Sequence, residues 1–259
     1  MVFCLDSFGH DPGLVRVSEG AKKGRLGNNK IGWNIMLPNF LVIGAMKSGT
    51  TSLYHYIKAH PEIFMPSLKE PNFFIKRDIG TRDTEWYESL FSDGRYAKAL
   101  GEASVNYTKY PHYSGVPQRI AATNKDMKLI YVLRNPFDRT YSHYLHNIYA
   151  GIENEPFRDA IVRRPLYIQA SLYYMQIQEY LKHFSREQVL ILILDDLKHN
   201  PTGTVKRVFE FLEVDEQFVP PNVGEVRHQT KQKRGNGANI FSRYGILFVD
   251  NPVTLLHDF

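Results

Sequence analysis

Cysteine is almost missing from this chain: Cys4 is the single one among 259 residues. One thiol excludes an internal disulfide and any cysteine-built zinc site, and it fits a reducing compartment. Long apolar runs are missing too. Nothing reaches the roughly 18 apolar residues that mark a membrane-spanning helix. The longest candidate, residues 35–46, is interrupted by Pro38 and Asn39. No basic-then-apolar leader opens the chain. A cytoplasmic protein without a membrane span is therefore expected. A strong charge imbalance is also lacking. With 32 lysines and arginines against 27 aspartates and glutamates, the net charge is +5. That excess suits an anionic ligand. It is too small to argue for nucleic acid, whose binding motifs are absent as well. No repeat is visible, and no His, Cys or acidic cluster at ligand spacing calls for a metal.

What the chain does have is material for a core. Apolar residues make up 43% and aromatics 13%, enough for one large domain. Apolar runs near residues 40, 98, 128 and 188 read as strands, and helical periodicity fills the intervals. This alternation predicts a single α/β domain, a mainly parallel central sheet with helices on both faces. Residues 1–37 differ. Glycines at 9, 13, 20, 24, 27 and 32 break any long helix, and Lys22, Lys23, Arg25 and Lys30 form a basic patch. They read as a weakly structured arm, with a cover over a cleft as the alternative. The domain proper is expected over 38–259, with a basic loop around 227–237.

The most informative stretch is Leu41-Val-Ile-Gly-Ala-Met-Lys-Ser-Gly-Thr-Thr-Ser-Leu53. An apolar strand stops at Gly44, a loop carries Lys47, Ser48 and Gly49, and Thr50, Thr51 and Ser52 open a helix. Helix N-termini expose unpaired N–H groups and a partial positive charge, which attract phosphate. Gly44 and Gly49 have P-loop spacing, but Thr50 stands where the P-loop lysine belongs and Lys47 lies inside the loop. The anion cradle is P-loop-like and the usual magnesium arrangement is not kept. A threonine-capped strand-to-helix turn is the plain alternative.

Lys47-Ser-Gly-Thr-Thr-Ser-Leu53 resembles the 5′-phosphosulfate loop of sulfotransferases that use 3′-phosphoadenosine 5′-phosphosulfate (PAPS). A second stretch agrees. Arg134-Asn-Pro-Phe-Asp-Arg-Thr-Tyr-Ser142-His-Tyr is similar to the family's Arg-x-Pro-x-x-Arg-x-x-Ser-x-Tyr signature. The resemblance implies that Arg134 and Ser142 hold the 3′-phosphate of the nucleotide. Lys69-Glu-Pro-Asn-Phe-Phe74 resembles a segment of the heparan-sulfate-type members, which implies Glu70 as the base that deprotonates the acceptor, with Lys69 fixing it. His146 is the runner-up for that role, since an imidazole can exchange protons at neutral pH. His146 and His143 are otherwise helix-surface or satisfied histidines. Gly101-Glu-Ala-Ser-Val-Asn-Tyr107 is similar to the family's Gly-Glu-Lys-Ser/Thr-x-x-Tyr, and places Ser104 and Tyr107 on the acceptor cleft. The family's lysine is here Ala103, and an aspartate found in several relatives is here Ile75. Both departures fall at positions expected to face the acceptor. In the tail, Lys233 and Arg234 are the candidates for a loop that closes over the nucleotide; a solvated charge run is the equal alternative.

The resemblance implies sulfuryl transfer from PAPS to a hydroxyl or amine of a carbohydrate or small-molecule acceptor. The product nucleotide is 3′-phosphoadenosine 5′-phosphate (PAP), and no metal is called for. Two other readings remain: a P-loop-type kinase or nucleotide hydrolase, and a non-catalytic protein that binds PAP or glycan. Elsewhere, residues 155–184 read as two helices with Leu172 among the core-facing positions.

Overall fold

Phe40–Gly44 (β1) is apolar and buried at every position, the pattern of a strand covered on both faces. It pairs in parallel with two neighbours. In the computed structural model, which describes residues 36–75 and 83–225, short Ile63–Phe64 (β2) and Ala99–Ala103 (β3) lie on one side of it. Lys128–Leu133 (β4) and Val189–Ile193 (β5) lie on the other. The order is β2-β3-β1-β4-β5, and each ladder is parallel. The expected mainly parallel α/β sheet is thus found, with β2 in addition. Close packing of β1 on β3 depends on Gly101: a Cβ there would fall 2.3 Å from the Phe40 ring.

The intervening helices are Thr50–Lys58 (α1), Thr84–Ser89 (α2), Val116–Thr123 (α3), Pro136–Tyr149 (α4), Phe157–Arg163 (α5), Leu166–Gln169 (α6), Tyr173–Leu181 (α7), Leu194–His199 (α8) and Pro201–Leu212 (α9). Alternation along the strands sends side chains to two cores. Phe40, Val42, Ile130, Val132 and Leu192 pack with Leu53 and Ile57 of α1 and Val208 and Phe209 of α9. Leu41, Ile43, Leu129, Tyr131 and Val189 pack with Tyr87 of α2, Ile120 of α3 and Tyr180 of α7. Burial of this apolar area, at about 25 cal/mol per Å², is the main term holding the helices on the sheet.

Residues 155–184 form three helices, not two, and Leu172 is exposed. It occupies the N-cap position of α7, where helical periodicity does not set direction. Asn135 caps α4, its side chain accepting from the N–H groups of Phe137 and Asp138. Pro136 follows as the first helical residue, where a missing N–H costs nothing. This cap fixes the direction of α4 from the end of β4, which matters for the site.

Candidate active site

Four strands end at one edge of the sheet, and the segments leaving them line one cleft. Met46, Lys47 and residues 49–52 come after β1, Val105 and Asn106 after β3, Arg134 after β4, and Leu194 after β5. The carboxyl edge of a parallel sheet, where strand order reverses, is the ligand-binding position of such folds. One face of α4 supplies a wall, with Asp138, Ser142, Leu145, His146 and Tyr149 at helical spacing. The cleft holds about 1110 Å³, above the roughly 300–1,000 Å³ usual for one small ligand.

The loop after β1 is shaped by backbone geometry. Lys47 and Gly49 both adopt left-handed φ, 70° and 81°. Gly49 is the N-cap of α1, so no side chain caps the first turn. That sets aside the threonine-capped alternative. The first-turn residues Thr50, Thr51 and Ser52 instead line the cleft, where the helix end carries partial positive charge. Ser48 is fully buried behind the loop. Lys47 lines the cleft, and burial first, then the nearby charge of Arg134, pushes its ammonium below the usual lysine range.

Arg134 is pinned at the same spot. Its Nη1 donates to the Lys47 carbonyl at 3.2 Å, and its own carbonyl accepts from the Tyr173 hydroxyl at 2.8 Å. Asp138 lies 3.9 Å from Nη2. Nε is buried and has no hydrogen-bond partner among the described residues. A held guanidinium with an unspent donor suits a phosphate oxygen. Ser142, half-buried, stands in the same cleft one turn past Asp138.

A helix N-terminus, a loop lysine and a held arginine thus meet at one sheet edge. The model of the sulfotransferase domain family matches residues 37–239. The chain belongs to the sulfotransferase domain family. A solved sulfotransferase from Alicyclobacillus acidocaldarius superposes with a TM-score of 0.66 at 33% identity, over 74% of this chain and 87% of that one. A mouse bifunctional heparan sulfate N-deacetylase/N-sulfotransferase 4 is 32% identical over 205 residues, 70% of this chain and 23% of the relative. A mouse heparan sulfate glucosamine 3-O-sulfotransferase 3A1 is 29% identical over 188 residues, 68% of this chain and 46% of the relative. The chain thus spans less than half of the length of either of these two curated relatives.

In this family member Glu70 also reaches the cleft, from a turn with left-handed φ of 61°. Lys69 holds it in an ion pair at 2.8 Å. His146 lines the cleft from α4; burial first, then Lys47 and Lys109, lower its basicity, while Glu70 pulls the other way. His143 is buried against Tyr167, and burial first pushes it down to about 2, so it takes no part in the cleft. Arg139 is buried as well and donates to the Ser171 hydroxyl and the Tyr167 carbonyl, a structural duty.

The sequence reading of the β3 segment needs correction. Ser104 and Tyr107 are buried and do not line the cleft; the tight turn over Val105–Thr108 brings Val105 and Asn106 to it instead. Ala103 and Ile75, expected to face the acceptor, are 0% and 6% exposed and pack in the cores. Glu102, Asn72 and Asn106 were not singled out from sequence. The available signal was a glutamate inside an apolar strand, since a buried carboxylate must be hydrogen-bonded. Lys233, Arg234 and most of the N-terminal arm lie outside the described residues. Among the described residues no group of three His, Cys, Asp or Glu could hold a metal, and no helix is long and apolar enough to cross a membrane.

Proposed function

We propose that this chain transfers a sulfuryl group from PAPS to a hydroxyl or amine of an acceptor and releases PAP. The observation that carries this reading is the meeting of three features in one cleft: an uncapped helix N-terminus, a loop lysine beside a held arginine, and a carboxylate held by its own lysine. The residues fit the donor. The first-turn amides of α1 with Thr50 and Thr51 suit the 5′-phosphosulfate, and Arg134 with Ser142 suits the 3′-phosphate. PAPS supplies the sulfuryl group, whose bond to the phosphate oxygen breaks as the bond to the acceptor forms.

Glu70 takes the acceptor's proton, and Lys47 neutralises the charge that develops on the departing phosphate oxygen. Both act as fixed charges aimed at the transition state. His146, in the same cleft as Glu70, hydrogen-bonds the acceptor. The curated relatives' names point to carbohydrate acceptors, and a glucosamine-containing oligosaccharide heads the candidates. Nothing among the described residues of the cleft favours ATP chemistry, because Thr50 keeps the P-loop lysine position.

The test is PAP formation from PAPS with a panel of one heparan-type oligosaccharide, one phenol such as 2-naphthol, and one long-chain alcohol. Transfer to at least one is expected, lowered at least about 100-fold by Glu70→Gln and less by His146→Ala. Tight PAP binding without transfer to any probe would leave the non-catalytic reading standing.

A further inference from the structure

Glu102 lies in the middle of the sheet, fully buried, with no cationic partner among the described residues. A carboxylate in that position is costly unless its oxygens are well used. Its oxygens accept from three hydroxyls, those of Ser104 and Tyr107 and, at 3.5 Å, that of Tyr87; the first two lead on to the loop. Oε2 accepts from the Ser104 hydroxyl at 2.8 Å, and that hydroxyl in turn accepts the Asn72 backbone N–H at 3.0 Å. Oε1 accepts from the Tyr107 hydroxyl at 2.6 Å, and that hydroxyl stands 3.4 Å from the Phe74 N–H. The two relays end at two amides of one segment, residues 70–74.

That segment is the one that presents Glu70. Glu70 and Asn72 both hold left-handed φ, 61° and 55°. Such conformations are unfavourable for residues with a Cβ and persist only where the surroundings impose them. The Asn72 side chain donates to the Glu70 carbonyl at 2.8 Å and accepts from Asn106 at 3.0 Å. The Glu70 N–H donates to the Ala103 carbonyl at 3.0 Å. The turn is thus tied to the end of β3 at several points, and Glu102 anchors the buried ones.

We infer that Glu102 is a positioning residue for the transfer reaction: through Ser104 and Tyr107 it fixes the 70–74 turn so that the Glu70 carboxylate meets the acceptor. The inference rests on Glu70 being the base. Glu102 itself does not line the cleft and touches no substrate. The polarity of the relay explains why a carboxylate is used. When Glu102 is ionised, the Ser104 and Tyr107 hydroxyls both donate inward and accept from the loop outward, so both inner atoms are acceptors. A glutamine supplies only one acceptor oxygen, and its NH2 reverses one relay.

The test is a mutant cycle of Glu102→Gln, Glu70→Gln and the double variant, with Ser104→Ala as a second break in the same relay. The probe is PAPS with whichever panel acceptor, water included, gives the fastest wild-type PAP release. Glu102→Gln and Ser104→Ala are expected to lower kcat about 10- to 100-fold, the cost of a small misplacement. PAP affinity should stay within about twofold. The double variant should be no slower than Glu70→Gln alone, because both changes remove one function. A residue that only supports the fold would shift PAP affinity too, or would multiply the loss. Wild-type kcat in Glu102→Gln, or fully multiplicative losses, overturns the inference. If Glu102→Gln does not fold, Ser104→Ala carries the cycle. Unchanged turnover in Glu70→Gln, or no turnover with any probe, removes the base assignment instead. A crystal structure of Ser104→Ala then decides: a shift of residues 70–74 sustains the positioning role, and an unmoved turn ends it.

Discussion

The two sides of the cleft are built by different means. On the donor side the backbone does the shaping: left-handed Lys47 and Gly49, a helix with a glycine at its cap, and an arginine tied to a loop carbonyl. On the acceptor side a buried carboxylate and two hydroxyls hold a turn whose own geometry is strained. Under the proposed reaction the donor group is constant, and a rigid backbone cradle would serve that purpose. Under the same proposal the other side would place a proton acceptor against the acceptor, and side-chain relays would allow that placement to be changed residue by residue.

The donor side should break hardest. Lys47→Ala is expected to lower kcat about 100- to 1,000-fold, the usual scale for one lost electrostatic stabiliser. KM for PAPS should move far less, and steady-state kinetics with the best panel acceptor reads both. Equal losses in kcat and in PAP affinity would instead make Lys47 a simple binding residue. Gly49→Ala comes next. The φ of 81° disfavours a Cβ, which would also fall 2.5 Å from Leu194. Leu194 can move at its tip, so the expected cost is about 1–2 kcal/mol in urea unfolding, together with weakened PAP binding. An unchanged midpoint and affinity would show that the loop tolerates other geometries.

The smallest expected effect sharpens the acceptor side. Burial first, opposed by its hydrogen bonds from Tyr107 and Ser104 and aided by the charge of Glu70, raises the Glu102 carboxyl from 4.5 to about 7. Between those values the folded state keeps a proton that the unfolded chain has released. The stability contributed by this group is therefore full below about pH 4.5 and is lost as pH rises through about 7. Unfolding of wild type and Glu102→Gln at several pH values across this window should show the wild type losing ground to the variant. A constant gap would mean that Glu102 titrates normally.

The same contrast explains what could be read from sequence. The donor side is local: residues 47–52 are consecutive, and Arg134 and Ser142 share a strand end and the helix after it. The spacing of the first stretch pointed to an anion, the resemblance of the second to a family signature pointed to phosphate, and strands at 40, 98, 128 and 188 emerged within a residue or two. The relay is not local. Ser104 meets Asn72 across 32 positions, a pairing set by where β3 ends against β1. Ser104 and Tyr107 have the residue types of a cleft lining, yet the turn over Val105–Thr108 faces them inward. Two-residue β2 is too short to carry periodicity.

The central claim is that the cleft recognises a nucleotide bearing two separated phosphates, and calorimetry with PAP and adenosine 5′-phosphate tests it most directly. PAP is expected to bind about 10- to 100-fold more tightly than adenosine 5′-phosphate, the worth of one charged hydrogen-bonded contact. Arg134→Ala should erase that difference. Equal binding of the two nucleotides by the wild-type chain, or a preference that survives Arg134→Ala, would contradict the assignment of Arg134 to the 3′-phosphate and the reading of the donor site built on it.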